Sequence, residues 1–269
     1  MRKLLNTANR AKIVHKDLLP NRILFCGDTH GNFQHIVDVV NAHAPAAIVL
    51  LGDVQAQNPL EQELAEILDK TEVWFIPGNH DTDSAADHDN LWNSALADRN
   101  LHGRVVEVAG VRIAGLGGIL REQIWSPPTA PAYNSATEFL RRQKSDSRWQ
   151  EEIARKHRSS IFPDDYKRLA CECADVLVTH EAPGVHPYGF GALDELAALL
   201  HVNTTFHGHH HDCLDYSSEW KSIGHRVFGV GFCGITALDG TVIRQGDFDQ
   251  NKARAKSRLV CRPTFSSPD

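Results

Sequence analysis

Five short apolar runs, Ile23 to Cys26, Ala47 to Leu51, Val73 to Ile76, Val176 to Thr179 and Thr204 to Phe206, limit what this chain can fold into, because each breaks off into polar side chains, with glycine beside them in all but the fourth. Continuous apolar runs of this length suit strands buried on both faces. Between them lie patterns of helical period: Phe33, Ile36, Val37 and Val40 fall on one face, as do Leu60, Leu64, Ile67 and Leu68, and later Leu193, Leu196, Ala197 and Leu200. Strands alternating with helices predict an α/β protein with parallel pairing. Two β-hairpins are also expected, Arg104 to Leu116 turning at Ala109-Gly110, and Val227 to Ile243 turning near Asp239-Gly240, since Asp-Gly favours a tight turn.

In an open α/β sheet, ligands sit beyond the carboxyl ends of the strands. There the first run enters Gly27-Asp28-Thr29-His30-Gly31, the second Gly52-Asp53 and the third Gly78-Asn79-His80-Asp81, while the last two end in His180 and in Gly208-His209-His210-His211. Five groups of carboxylate, imidazole and amide donors should therefore converge. Asp28 and His30 are two apart, as are His209 and His211, a spacing that on an extended segment puts both side chains on one side. Asp53 has two oxygens and can bridge two cations. Donors of this kind without thiolate suit Mn, Fe, Zn, Ni or Co. Two such ions about 3.5–4 Å apart can clamp a phosphate and activate a water. His210 should point away from its neighbours, into packing or the surroundings of the site. Cys171 and Cys173, two apart on an expected helix, do not face each other and read as packing residues.

The blocks DTH, GD, GNHD, a lone His and GHHH, in that order over Asp28 to His211, resemble the calcineurin-like metallophosphoesterase superfamily, whose signature is DxH…GD…GNH(D/E)…H…GHxH. The resemblance implies a sandwich of two mixed β-sheets flanked by helices, with two divalent or trivalent metal ions per chain. It implies that Asp28, His30 and His211 hold one ion, that Asn79, His180 and His209 hold the other, and that Asp53 bridges them. His80 matches the family's substrate-facing histidine, which with Asn79 would contact the substrate, stabilising the phosphoryl oxygens or protonating the leaving group. The implied activity is hydrolysis of a phosphomonoester or phosphodiester by attack of metal-bound hydroxide. Asp53 continues as Val-Gln-Ala-Gln, so the GDxVDRG block of the phosphoprotein phosphatases is absent, and with it the aspartate expected to orient the catalytic histidine. A protein phosphatase is thereby disfavoured against the small phosphodiesterase-like branch. Two other readings stay open: a nuclease acting on single-stranded nucleic acid, and a non-catalytic metal-binding scaffold of the same fold, which should lack ligands that are all present here.

Residues from about 119 to 165 break the strand-helix rhythm and read as an insertion. Between Arg121 and Arg168 they carry ten Lys or Arg against seven Asp or Glu, with Trp125, Tyr133, Phe139, Trp149, Phe162 and Tyr166 interspersed. A cap gripping a small, nucleotide-like phosphorylated substrate and a structural appendage are equally compatible with that composition. The phosphoesterase domain is expected over residues 1–250, with a basic tail over 251–269. The net charge of -6 makes no general case for nucleic acid as partner. Six cysteines without a CxxC pair read as reduced thiols. With no apolar run of about 18 residues and charges scattered through the first twenty, neither a membrane span nor a signal peptide is expected, and the cytoplasm is the expected location.

Overall fold

The computed structural model describes residues 22–143 and 147–249; the basic tail expected over 251–269 lies outside them. Strands β1 (Ile23–Cys26), β2 (Ala47–Leu50) and β3 (Glu72–Phe75) pair in parallel. A hairpin of β9 (Ile235–Ala237) and β10 (Val242–Arg244) adds antiparallel to β1, giving a five-stranded sheet in the order β10-β9-β1-β2-β3. The second sheet also has five strands, β4 (Arg104–Val108), β5 (Val111–Leu116), β6 (Val176–Thr179), β7 (Thr204–His207) and β8 (Arg226–Gly229), in sequential order. Its strands are parallel except for β4, which forms the expected hairpin with β5 around Ala109-Gly110. The fold is thus the α/β sandwich of two mixed sheets that the resemblance implied.

Alternation along β1 shows why its run is apolar throughout. Ile23 and Phe25 face the other sheet and pack with Val49, Leu51, Ile113, Val178 and Phe206. Leu24 and Cys26 face outward onto helix α1 (Gln34–His43), meeting Ile36, Val37 and Val40. The rings of Phe25 and Phe206 stack with centroids 3.8 Å apart, joining the two sheets at the centre of the sandwich. Both are fully buried, and burying a side chain of this size contributes about 1.5–3 kcal/mol. Helices α2 (Leu60–Glu63) and α3 (Ala85–Trp92) lie on the α1 side, and α3 is started by a capping box between Ser84 and Asp87. The outer face of the second sheet is covered by α6 (Pro163–Leu169) and α7 (Gly191–Leu200), the latter through Leu193, Leu196, Ala197 and Leu200.

Three sequence expectations are corrected. Val227 to Ile243 is not one hairpin: Val227 lies in β8, paired in parallel with β7, and only β9 and β10 flank Asp239-Gly240. The chain changes sheets between them at Gly231 and Gly234, where Gly27 donates to the Gly234 carbonyl at 3.0 Å. Leu68 is not on a core face, because α2 ends after one turn and leaves it exposed, while Leu64 and Ile67 are buried. Cys171 and Cys173 lie in the turn after α6 and are exposed, so they do not pack.

The excursion between β5 and β6 closes at its base, where Ile119 donates to Ser159 and accepts from Ile161, both at 3.0 Å. It contains α4 (Ala136–Arg142) and α5 (Ser147–Lys156), and has its own small core of Ile124, Phe139 and Phe162, flanked by Trp125, Tyr133 and Ile153. Helix α8 (Trp220–Ile223) precedes β8. No helix of the described residues is long and apolar enough to cross a membrane.

Candidate metal centre

All the donors singled out in the sequence lie at the carboxyl ends of β1, β2, β3, β6 and β7, where the two sheets meet. Ligand atoms of Asp28, His30, Asp53 and His211 lie within 4.8 Å of one another, and so do those of Asp53, His180 and His209. Asp53 alone belongs to both groups. Asn79 joins the second, its Oδ1 lying 3.2 Å from His180 Nε2. His80 belongs to neither. His210 stacks on His186 with centroids 4.0 Å apart, in keeping with a packing role.

Convergence is not achieved by extended segments, as the two-residue spacing had suggested. His30, Asp53, His209 and His211 hold φ of 42°, 46°, 71° and 56°. Side chains other than glycine adopt this left-handed region at a cost of about 1–3 kcal/mol, and such residues cluster where function requires them. Backbone bonds between loops hold the conformation: His30 donates to the Asp53 carbonyl and Gly31 to that of Val54, both at 2.9 Å. Close approach explains the glycine before Asn79, since a Cβ on Gly78 would lie 2.2 Å from Asp53 Oδ1 and 2.7 Å from the His180 ring.

Hydrogen bonds fix the imidazoles. His180 Nδ1 donates to the Leu51 carbonyl at 2.8 Å, which leaves Nε2 pointing at Asn79 and Asp53. His30 Nδ1 meets the Gln55 side-chain oxygen, and its Nε2 faces His211 Nε2 at 3.1 Å. A carbonyl that takes one ring N–H sets the tautomer and frees the other nitrogen as a donor to a metal. Asp81 supports the loops rather than an imidazole, accepting from the Gln55 and Gly78 amides at 2.8 and 2.7 Å.

The charges fit a cation. Asp28 and Asp53 are buried, and their only ion-pair partners among the described residues are histidines. Burial, with the charge of Asp53 adding to it, pushes the Asp28 carboxyl up to about 7. Burial also opposes ionisation of Asp53, but His180 overrides it and holds the carboxyl below the usual range. His180 is raised to about 10 by Asp53 and Asp28 against the effect of burial, while burial presses His209 down to about 3. The carboxylates of Asp53 and Asp28 hold a proton on His180, and a divalent ion would supply the positive charge in its place while His209 offers a neutral ring nitrogen.

Four neighbours were not legible as site residues from the sequence pattern. Asp83 accepts from His80 Nδ1 at 2.6 Å; although burial works against the imidazolium, this bond and the charges of Asp53 and Asp83 raise the His80 pKa. Asp83 thus supplies an aspartate partner for His80 from the same loop, where the sequence lacked the aspartate expected after GD. Gln55, in the Val-Gln-Ala-Gln stretch that replaces that block, holds His30. Glu181 is buried, 3.7 Å from His209 Nε2, and with His209 and His210 makes a third group of donors. Phe232 stacks on His30 with centroids 5.4 Å apart. Each acts across at least one turn of loop, and only Glu181, directly after His180, lay beside a motif.

Fold and site together define an α/β sandwich with clustered donors that could hold a metal at its strand ends. Residues 21–213 match the family model described as calcineurin-like phosphoesterase, and the chain belongs to that family. It is 37% identical over 230 residues to a Haemophilus influenzae protein described as uncharacterized, an alignment covering 86% of this chain and 100% of the relative. Among solved structures it is similar to TT1561 of Thermus thermophilus, at 14% identity, TM-score 0.47 and coverage of 81% of this chain and 94% of that one. It is also similar to a 5'-nucleotidase precursor from the same organism, at 15% identity, TM-score 0.37 and coverage of 88% and 58%. The family assignment stands on the sequence matches.

Proposed function

We propose that the chain is a metal-dependent hydrolase of phosphate esters. The observation that carries the reading is that Asp53 belongs to two adjoining groups of donors, each within 4.8 Å, as a carboxylate shared by two ions must. In this reading Asp28, His30 and His211 hold one ion, Asn79, His180 and His209 the other, and Asp53 both. When bound, the ions would lower the pKa of water and neutralise charge on the phosphoryl group.

The chain's own residues divide the remaining work. His180 and His30, locked through Nδ1, would offer their Nε2 atoms to the cations. His80 is half exposed and its Nδ1 is engaged by Asp83, so in this reading its Nε2 is the nitrogen left to meet the ester. Hydrolysis breaks the bond between phosphorus and the leaving oxygen, which departs with a proton; His80 Nε2 is the group placed to give it. Asn79 lies between His80 and the second group of donors and would contact both ion and substrate.

The test is hydrolysis of p-nitrophenyl phosphate and bis(p-nitrophenyl) phosphate by protein reconstituted separately with Mn, Fe, Zn, Ni and Co, with metal counted by elemental analysis. The expected result is up to two ions per chain and activity lost on chelation. Metal-free protein hydrolysing either ester in the presence of a chelator would overturn the reading.

A further inference from the structure

The excursion between β5 and β6 is fastened to the site at both of its ends. At the first, Gly118 donates to the Pro77 carbonyl at 2.6 Å and Leu120 to Glu181 Oε2 at 3.2 Å. At the second, Ser159 Oγ lies 2.7 Å from Thr82 Oγ1, two residues beyond His80, and Arg155 Nε donates to the Thr82 carbonyl at 3.4 Å. Arg121 emerges between these anchors. Its Nη2 makes one long hydrogen bond, to Ser159 Oγ at 3.4 Å, and its Nε is buried without a partner. It forms no ion pair among the described residues, yet it lies in the field of Asp83, Glu181 and Asp53.

A guanidinium in this state is under-used. Buried polar groups in native proteins are almost always paired, and an arginine present only to neutralise Asp83 or Glu181 would gain most by touching one of them. What remains is a planar fork of N–H donors with little to bind, linked through Ser159 and Thr82 to the loop that carries His80. Such a fork matches two oxygens of a phosphoryl group. A phosphomonoester dianion offers it three non-bridging oxygens and two charges; a diester offers two oxygens and one charge.

We propose that Arg121 is the specificity-determining residue of the site, gripping non-bridging oxygens of a dianionic phosphoryl group so that phosphomonoesters are favoured over diesters. The inference rests on the phosphoesterase reading above and narrows its substrate class. It also gives the inserted segment a function, since its anchors set where the guanidinium stands.

The experiment is calorimetric titration of inorganic phosphate at pH 8 into metal-loaded wild type, Arg121→Ala and Arg121→Lys, alongside kcat/KM for p-nitrophenyl phosphate and bis(p-nitrophenyl) phosphate. Losing charge-assisted hydrogen bonds should weaken phosphate binding about tenfold to a hundredfold in Arg121→Ala, and less in Arg121→Lys. kcat/KM for the monoester should fall in proportion, and that for the diester by less than about threefold. Unchanged phosphate affinity, or equal losses on both esters, would overturn the proposal. Should Arg121→Ala fail to fold, Arg121→Lys carries the same contrast. Wild-type protein that binds phosphate through Arg121 but hydrolyses neither ester would remove the hydrolase reading alone.

Discussion

The strand-end loops and the segment between β5 and β6 border the same site but are held there in different ways. The loops place Asp28, Asp53 and His180 in full burial, with left-handed backbone at His30, Asp53, His209 and His211 and loop-to-loop amide bonds around them. The segment stands on a satellite core of three buried side chains and touches the site through a few single hydrogen bonds, from Gly118 to Pro77, Leu120 to Glu181, and Arg155 to Thr82, and one between Ser159 and Thr82. Donors for a cation tolerate little displacement, so the strain in the loops is offset by dense bonding around them. A substrate-facing wall tolerates more. Changes in the loops should therefore abolish chemistry, and changes in the segment should alter preference or stability.

The largest effect is expected at Asp53, the residue common to both donor groups. Asp53→Asn should cost on the order of 10³-fold or more in kcat, a range seen for central catalytic groups, and lower the metal content. A variant that kept both its metal and its rate would break the comparison, because the most constrained wall would then be dispensable. His80 comes next. General acid help is worth about 10²–10⁴-fold, so His80→Gln should lose that much with an alkyl phosphate, whose alkoxide needs a proton, and far less with p-nitrophenyl phosphate, metal content being unchanged. Equal losses on both esters would assign His80 to charge stabilisation.

Asp83 sharpens the point, because it touches no donor group and acts through His80 Nδ1. Asp83→Asn should cost about 10–100-fold, as removal of a group that orients an imidazole typically does. The check is a double-mutant cycle: added to His80→Gln, the Asp83 change should cost almost nothing more. Full additivity would show that Asp83 serves something other than His80.

Legibility followed the same division. The five apolar runs became five strands almost residue for residue, and the seven candidate ligands came together, because buried parallel strands and cation donors both restrict residue type. The second hairpin was misread because a turn signal at Asp239-Gly240 does not say how far its strands extend. Only the crossing at Gly231 and Gly234 separates β8 from β9. Asp83, Gln55 and Phe232 escaped notice because an aspartate, a glutamine or a phenylalanine in a loop is ordinary; what singles them out is an imidazole brought within reach by the fold. Arg121 stood out only as one of ten basic residues in its segment, and its link to the His80 loop runs through Ser159 and Thr82, far apart in sequence.

The smallest expected effect tests how firmly the segment is docked. His157 is buried against Phe139, with ring centroids 4.4 Å apart, and its Nδ1 lies 2.9 Å from Ser160 Oγ. Burial foremost, and then the charges of Arg121 and Lys156, press its pKa down to about 4. Free histidine titrates near 6.5, so as pH falls through about 6.5 the unfolded chain takes up this proton before the native one does. Stability linked to His157 is therefore complete above about pH 6.5 and is lost as pH falls toward 4. His157→Gln can keep a bond to Ser160 but cannot take up the charge. Between pH 8 and pH 5 the wild type should lose a few degrees of melting temperature more than the variant, a shift on the scale of about 1 kcal/mol in a chain of this size. Groups that titrate in both proteins cancel in the comparison, and zinc affinity at pH 8 should be the same in both. Melting temperatures falling in parallel would mean that His157 is not held neutral, and that the segment is docked more loosely than its contacts imply.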